Sequence, residues 1–142
     1  MTHYSISDDA DRIDFDTVHQ FLSNSYWAKG IPAQTLRRGL SHSLCFGVYE
    51  NHTNQVGFAR VISDFATYAY ILDVFILEPH RGQGVGKDLI ATILKHPDLQ
   101  GIRRISLGTK DAHGLYAQYG FKPIDSPENV MQIWQPDLYL NS

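Results

Sequence analysis

The hexapeptide Arg81-Gly82-Gln83-Gly84-Val85-Gly86 lies between a strand-like run and a helix-like run. Before it, Tyr68 to Leu77 is almost entirely apolar, as in a strand buried on both faces, and Pro79 marks its end. After it, apolar residues recur from 89 to 94 at the spacing of one helical face. The sequence therefore predicts a strand, a glycine-rich turn and an amphipathic helix, in that order.

Glycines at alternate positions of this turn expose the main chain to a ligand. Because Gly82, Gly84 and Gly86 lack a Cβ, a ligand can approach the backbone closely. The first amides of the following helix have no partner within that helix, and this suits an anion. The spacing is not the dinucleotide pattern G-x-G-x-x-G, and Asp88 follows Lys87 where the Walker A pattern needs serine or threonine. What is left is a pyrophosphate cradle of another kind, or an ordinary tight turn whose glycines serve geometry alone.

The rest of the chain alternates between strand and helix patterns. Asp14 is a plausible N-cap for a helix that begins at Phe15, and Pro32 stands early in a second helix. The predicted elements are a strand at 4–6, helices at 15–22 and 32–40, a hairpin of 44–50 with 56–63, the strand 68–77, the helix 85–95, a strand at 102–107, a helix at 112–119 and a last strand from Val130 to Trp134. We expect an α/β fold with a central sheet flanked by helices, in one domain spanning 1–142.

Composition excludes several classes of protein. The chain is 43% hydrophobic and 19% charged, which is typical of a globular protein, and its net charge of -3 without a basic stripe argues against nucleic acid as a partner. The single cysteine, Cys45, lies in an apolar stretch and is predicted to be a core residue. The seven histidines are scattered, so no metal is expected. No apolar stretch approaches the roughly 20 residues of a membrane span, and we expect a cytoplasmic protein.

Two segments together resemble the GNAT superfamily of N-acetyltransferases. Arg81, Gly84 and Gly86 match that family's acetyl-CoA motif, Q/R-x-x-G-x-G/A, and the segment from Ala112 to Phe121 is similar to its A-x-x-L-Y-x-x-x-G-F segment. The resemblance implies a mixed, mostly antiparallel sheet with two splayed central strands. It also implies acetyl-CoA as the donor co-substrate and an amine as the acceptor.

The resemblance further implies where the cofactor binds. The pyrophosphate would lie on the turn from Arg81 to Gly86, which includes Gly82, Gln83, Gly84 and Val85. The pantetheine would pair with the main chain of Val74, Phe75 and Ile76 like an added strand, beside a splayed neighbour at 102–107.

Two residues are candidates for the chemistry. Tyr116 matches the tyrosine with which many family members protonate the departing coenzyme A sulfur, and its alternative role is that of an aromatic packing residue. Asp73 is the only acidic or basic side chain within its strand. It would accept the proton of the amine, directly or through water. Its alternative role is structural, with hydrogen bonds to the backbone or to an arginine such as Arg60.

The acceptor pocket in this family commonly lies between the first helices and the sheet. Its predicted walls are Tyr26, Trp27, Arg60 and Asp64. The alternative for the two aromatic residues, and the commoner role of such side chains, is to fill a core. The function that these patterns favour is acetyl transfer to a primary amine of a small molecule or a protein. The alternative is a non-catalytic module that binds acyl-CoA and senses it. The predicted strand from Val130 to Trp134 could also pair across a homodimer.

Overall fold

A computed structural model describes residues 2–141 of the chain. Within these residues five strands form one sheet: β1 (Tyr4–Ser7), β2 (Leu44–Glu50), β3 (Asn54–Ser63), β4 (Tyr68–Ile76) and β5 (Arg104–Leu107). The α-helices are α1 (Phe15–Ser23), α2 (Ala33–Ser41), α3 (Val85–Lys95) and α4 (His113–Ala117). Short 3-10 turns lie at Ala10–Arg12, Glu78–His80, Pro97–Leu99, Pro127–Asn129 and Leu138–Asn141.

The sheet has the strand order β1-β2-β3-β4-β5. The first three neighbouring pairs are antiparallel, and β4 and β5 are parallel. A parallel pair needs a long crossover, and the chain supplies it with the glycine turn and α3. The predicted α/β fold with a mixed, mostly antiparallel sheet is confirmed.

Helices cover both faces of this sheet. On one face α3 contributes Leu89, Ile90 and Ile93 to a core that includes Ile71 of β4; we call this the α3 cluster. On the other face α1 and α2 pack a second core against the sheet, the α1 cluster, with members Val18, Leu22, Ala28, Ile31, Leu36, Cys45, Phe58 and Phe75. Each fully buried aliphatic or aromatic side chain of this kind contributes roughly 1.5 to 3 kcal/mol. The two clusters fix the helices relative to the strands.

A β-bulge at Asp73 interrupts β4. The register runs from Arg60 opposite Leu72 to Phe58 opposite Phe75, so β4 holds one more residue than β3 over this stretch. Asp73 itself has φ of 57°, in the left-handed region. A regular strand would place Ile71 and Phe75 on the same face of the sheet. Because of the extra residue they lie on opposite faces, Ile71 in the α3 cluster and Phe75 in the α1 cluster.

Strands β4 and β5 separate just before this bulge. Their pairing extends from Tyr68 opposite Arg104 to Ile71 opposite Leu107, where β5 ends. From there β4 continues to Ile76 while pairing with β3 alone. The predicted splay is thus confirmed, and we call the space beside residues 72–76 the strand gap.

Several local predictions are confirmed. The Asp14 carboxylate accepts the Thr17 amide at 3.3 Å and caps α1. Cys45 is a buried, free cysteine of the α1 cluster, and burial raises the pKa of its thiol to about 11. The predicted hairpin is β2 with β3.

Other predictions need correction. The predicted strand from Val130 to Trp134 is wrong: this segment has no regular structure, because no strand of residues 2–141 lies beside it to complete a ladder. The helix predicted at 112–119 is limited to α4, and Pro32 precedes α2 as its N-cap residue instead of lying within it. β4 is also not equally buried on its two faces, since buried and half-buried residues alternate along it.

Candidate active site

The glycine turn between β4 and α3 presents bare main chain to open space. Gly82 and Gly84 have φ of 79° and 80°, conformations that side chains other than glycine rarely adopt. A Cβ built on Gly82, Gly84 or Gly86 would meet no atom within 4 Å. Gly84 is the N-cap of α3 and no side chain caps that helix, so its first amides are available to an anion.

Side chains tie this turn to the sheet. Arg81 donates from Nε to the main-chain oxygen of Ile76 at 2.8 Å, which joins the turn to the end of β4. The Tyr4 hydroxyl of β1 lies 2.9 Å from His80 Nδ1 and donates to Gln83 Oε1 at 3.3 Å. The first half of the turn is therefore bonded to β4 and to β1, and Arg81 is exposed.

Asp73 lies in the bulge beside the strand gap and has two strong partners. Its Oδ2 accepts Arg60 Nε at 2.6 Å, and its Oδ1 accepts Trp27 Nε1 at 2.8 Å. Arg60 also donates to Ser43 Oγ at 3.0 Å. Asp73 is only 8% exposed, so these charge-assisted hydrogen bonds compensate a buried carboxylate. The structure thus brings together three predicted site residues, and it supports the structural role of Asp73.

A cavity of about 380 Å³ lies beside α2, and Arg60 of β3 is part of its wall. Its wall includes Tyr139, which lies within the last 3-10 turn. The lining residues are Ile31, Thr35, Leu36, Arg38, Gly39, His42, Arg60 and Tyr139. Of the predicted pocket residues only Arg60 lines this cavity. Trp27 is linked to this wall indirectly, because its Nε1 donates to Asp73, which in turn accepts from Arg60.

Two predicted pocket residues lie elsewhere. Tyr26 is mostly exposed, and its ring lies 5.1 Å from Lys110 Nζ. Asp64 is in the β3–β4 turn, where its carboxylate accepts the hydroxyl and amide of Thr67 and the amides of Ala66 and Tyr68. These bonds, the Thr67 hydroxyl first, hold the pKa of Asp64 well below its usual range. Asp64 therefore organises its own turn.

Tyr116 lies on α4 within the α3 cluster and is 8% exposed. Its ring packs edge-on against Phe121 at 5.9 Å, and burial raises the pKa of its phenol. Among residues 2–141 its hydroxyl has no hydrogen-bond partner. The hydroxyl therefore keeps its proton at neutral pH, and this O–H can donate a hydrogen bond to a ligand.

The described part of the chain offers no metal site and no membrane span. No group of three or more histidine, cysteine, aspartate or glutamate side chains within residues 2–141 could hold a metal ion. No helix there has the length and apolar character to cross a bilayer.

Comparison with known proteins agrees with this geometry. A family model described as an acetyltransferase (GNAT) domain matches residues 41–123. The chain belongs to the GNAT acetyltransferase family. It is 31% identical over 137 residues to a Gibberella zeae protein that carries an acetyltransferase name, which covers 81% of this chain and 76% of that protein.

Solved structures of other acetyltransferases have the same fold as this chain. A crystal structure of a GNAT-family protein from Xanthomonas campestris pv. campestris matches with 50% identity, a TM-score of 0.93 and coverage of 96% of both chains. An acetyltransferase structure from Clostridium acetobutylicum, solved with acetyl-CoA, matches with 17% identity and a TM-score of 0.63 over 94% of this chain and 96% of that one. The enzyme class, acetyl transfer, follows from the family.

Some residues around the site were not found from the sequence. Tyr4 and Tyr139 lie near opposite ends of the chain, Arg38 and His42 lie in α2 and at its C-cap, and each has an unremarkable local pattern. Only the fold brings them to the turn or the cavity.

The glycine turn of this GNAT acetyltransferase gives a matched pair of variants. Gly84→Ala puts a side chain at φ of 80°, which should cost about 1 to 2 kcal/mol of unfolding free energy. Gly86 lies in α3, and a Cβ there would meet no atom. Gly86→Ala should therefore raise the unfolding free energy by up to about 1 kcal/mol. Urea unfolding measures both.

The same pair tests ligand binding. We expect Gly84→Ala to weaken acetyl-CoA binding in calorimetric titration, whereas Gly86→Ala keeps it, since the family motif accepts alanine there. Equal affinity of the Gly84→Ala variant and the unaltered chain would contradict a binding role for this turn.

Proposed function

We propose that this GNAT acetyltransferase transfers the acetyl group of acetyl-CoA to the primary amine of a small molecule. One observation carries the proposal: the strand gap ends at the glycine turn on one side and at the Asp73–Arg60 pair on the other. The cavity wall residue Arg60 is therefore paired with Asp73 of the same short piece of β4 whose far end, at Ile76, is bonded to the turn.

The main chain of the turn and of β4 is suited to hold acetyl-CoA, which supplies the activated acetyl thioester. The amides from Gly82 to Gly86 would bind the pyrophosphate, and Arg81 would add a cation. The helix dipole of α3 favours an anion there by roughly 0.3 to 1 kcal/mol. The backbone of Val74, Phe75 and Ile76, which β5 leaves unpaired, would bond the pantetheine as an added strand does.

Tyr116 is the proposed proton donor. Aminolysis of a thioester releases a thiolate that must be protonated or hydrogen-bonded. The phenol of Tyr116 keeps its proton because burial raises its pKa. Phe121 packs against the ring and would fix its direction.

Asp73 has two proposed roles, of which its contacts favour one. Both carboxylate oxygens already accept hydrogen bonds, from Trp27 and Arg60. As a positioning residue it would hold the bulge open and orient Arg60 toward the cavity. As a proton acceptor for the amine it would have to act through the remaining lone pairs or through water.

The cavity beside α2 is the proposed acceptor site. Its volume of about 380 Å³ is within the range of small-ligand pockets and far too small for a folded domain. Arg38 and Arg60 contribute cations, and among residues 2–141 only Arg60 of the two has a carboxylate partner. We therefore propose an amine that also carries an anionic group, such as a carboxylate.

A cytoplasmic location, a single domain over 1–142, and the absence of a metal and of nucleic acid stay predictions from the sequence.

Release of the coenzyme A thiol, followed over pairs of amines, tests this function. We expect turnover with acetyl-CoA, and faster turnover with 4-aminobutyrate than with butylamine at equal concentration. Arg38→Ala should remove that preference, whereas Arg37→Ala should keep it, since Arg37 stacks on Phe15 outside the cavity. Tight acetyl-CoA binding without turnover on any amine would instead favour the sensing module, and a preference for peptide amines would favour a protein acceptor.

Tyr116→Phe tests the proton donor. Removal of the hydroxyl should lower kcat by about ten-fold or more, with acetyl-CoA affinity unchanged, because general acid catalysis typically contributes at least that much. Tyr119→Phe is the matched control, since its hydroxyl donates to the main-chain oxygen of Lys87 at 3.0 Å on the outside of the same helix region. If both variants turn over as fast as the unaltered enzyme, Tyr116 has only a packing role.

A further inference from the structure

The segment that follows β4 crosses the end of the sheet before it reaches the glycine turn. The Leu77 amide donates to the main-chain oxygen of Val56 in β3 at 2.8 Å. His80 then lies near Glu50 of β2, with its Nε2 3.9 Å from the Glu50 Oε2. The His80 ring also meets the Tyr4 ring of β1 edge-on, with centroids 5.7 Å apart. The segment therefore passes β3, β2 and β1 in that order, and the glycine turn begins beside the edge strand β1.

Gln83 supplies the side chain between two glycines with positive φ. Gly82 and Gly84 have no side chain, and a Cβ built on either would meet no atom within 4 Å. Little therefore packs against the main chain of this part of the turn. The Gln83 side chain is exposed, and its Oε1 accepts the Tyr4 hydroxyl at 3.3 Å. This hydrogen bond is a direct link between the middle of the turn and the sheet.

The hydrogen bonds around Tyr4 run in one direction. A phenol has a single proton, and that of Tyr4 is donated to Gln83 Oε1. The Tyr4 oxygen also lies 2.9 Å from His80 Nδ1, so His80 carries a hydrogen on Nδ1 and donates it to this oxygen. Donation thus proceeds from His80 to Tyr4 and from Tyr4 to Gln83, and each bond polarises the next. The His80 side chain is only 17% exposed, so water competes little for its hydrogen bond to Tyr4.

Tyr4 itself is fixed by the sheet and by the core. It pairs with Glu50 in the β1–β2 ladder, and its ring packs against the α3 cluster. A glycine-rich turn without such an anchor would lose conformational freedom when its amides close on a phosphate, and binding would be weaker by that amount. An anchor that holds the turn in the free protein removes part of this entropy loss in advance.

We propose that Tyr4 is a positioning residue for acetyl-CoA. Supported by His80, its hydroxyl holds Gln83 and so keeps the glycine turn in the conformation that receives the pyrophosphate. This inference rests on the proposed function, in which the turn binds that pyrophosphate. The effect of Tyr4 is therefore confined to the part of acetyl-CoA that the turn binds, and it does not extend to the thioester or the pantetheine.

Tyr4→Phe tests this role with two acetyl donors in calorimetric titration. We expect the Kd of acetyl-CoA to rise about three- to ten-fold, which is the usual effect of one lost hydrogen bond. The Kd of S-acetylpantetheine, which has no pyrophosphate, should stay the same. Tyr49→Phe is the matched control on the neighbouring strand β2, because it loses a hydroxyl that donates to the main-chain oxygen of Arg12 at 2.9 Å. It should leave both affinities unchanged.

A double-mutant cycle tests whether Tyr4 acts through Gln83. Gln83→Met removes the amide of an exposed side chain, so the fold should not change. We expect this variant to lose as much acetyl-CoA affinity as Tyr4→Phe, and the double variant to lose no more than either single variant.

Two substitutions of His80 test the support of the hydroxyl. His80→Asn keeps an N–H close to the position of Nδ1 and should keep most of the acetyl-CoA affinity. His80→Leu removes the donor and should weaken binding in the same direction as Tyr4→Phe.

The outcomes separate this role from the proposed function. Unchanged acetyl-CoA affinity of Tyr4→Phe, additive losses in the double variant, or an equal loss for S-acetylpantetheine would overturn the role of Tyr4 while the turn remains the pyrophosphate site. If the unaltered protein binds acetyl-CoA no more tightly than S-acetylpantetheine, the turn does not bind the pyrophosphate. The proposed donor site then fails, and the role of Tyr4 fails with it.

Discussion

The ion pair between Arg60 Nε and Asp73 Oδ2, at 2.6 Å, is the contact on which the site depends. Asp73 has a positive φ inside a strand, and a residue in such a conformation costs on the order of 1 to 3 kcal/mol unless its surroundings hold it. Arg60 from β3 and Trp27 from the segment between α1 and α2 are those surroundings. They hold an extra residue in β4, and the strand leaves β5 at this point.

The two helical layers turn this local bulge into a rigid cleft. Because the bulge reverses the faces of β4, Ile71 is fixed by the α3 cluster and Phe75 by the α1 cluster. Phe75 also stacks on Phe21 of α1 with ring centroids 4.0 Å apart. The main chain of β4 is thus held by buried side chains both before and after the bulge. The hydrogen bond from Arg81 Nε to the main-chain oxygen of Ile76 then fixes the glycine turn relative to the end of β4.

Much of the fold could be predicted because its signals are local. Helical periodicity, the Asp14 cap and the glycine turn each depend on residues within a few positions of one another. Asp64 belongs with these: Asp64 and Thr67 repeat the spacing and bonds of Asp14 and Thr17, so its turn role was readable from the sequence. We predicted a pocket residue there because its charge was considered without its neighbours.

The remaining features depend on distant contacts. Trp27 reaches Asp73 across 46 residues, and Tyr139 reaches the cavity from the end of the chain. The alternation from Val130 to Trp134 predicted a strand, but a strand also needs a neighbour, and β5 of the same chain does not supply one. Periodicity reports what a segment can become, whereas packing decides whether a partner is within reach.

The central claim is that acetyl-CoA occupies the strand gap and the glycine turn together, and hydrogen exchange with and without acetyl-CoA tests it most directly. The account predicts slower deuterium uptake at 72–77 and 82–88 when acetyl-CoA is bound, with little change in the β1–β2 pair. Saturating acetyl-CoA that leaves the exchange of both segments unchanged, or that protects only other parts of the chain, would contradict it.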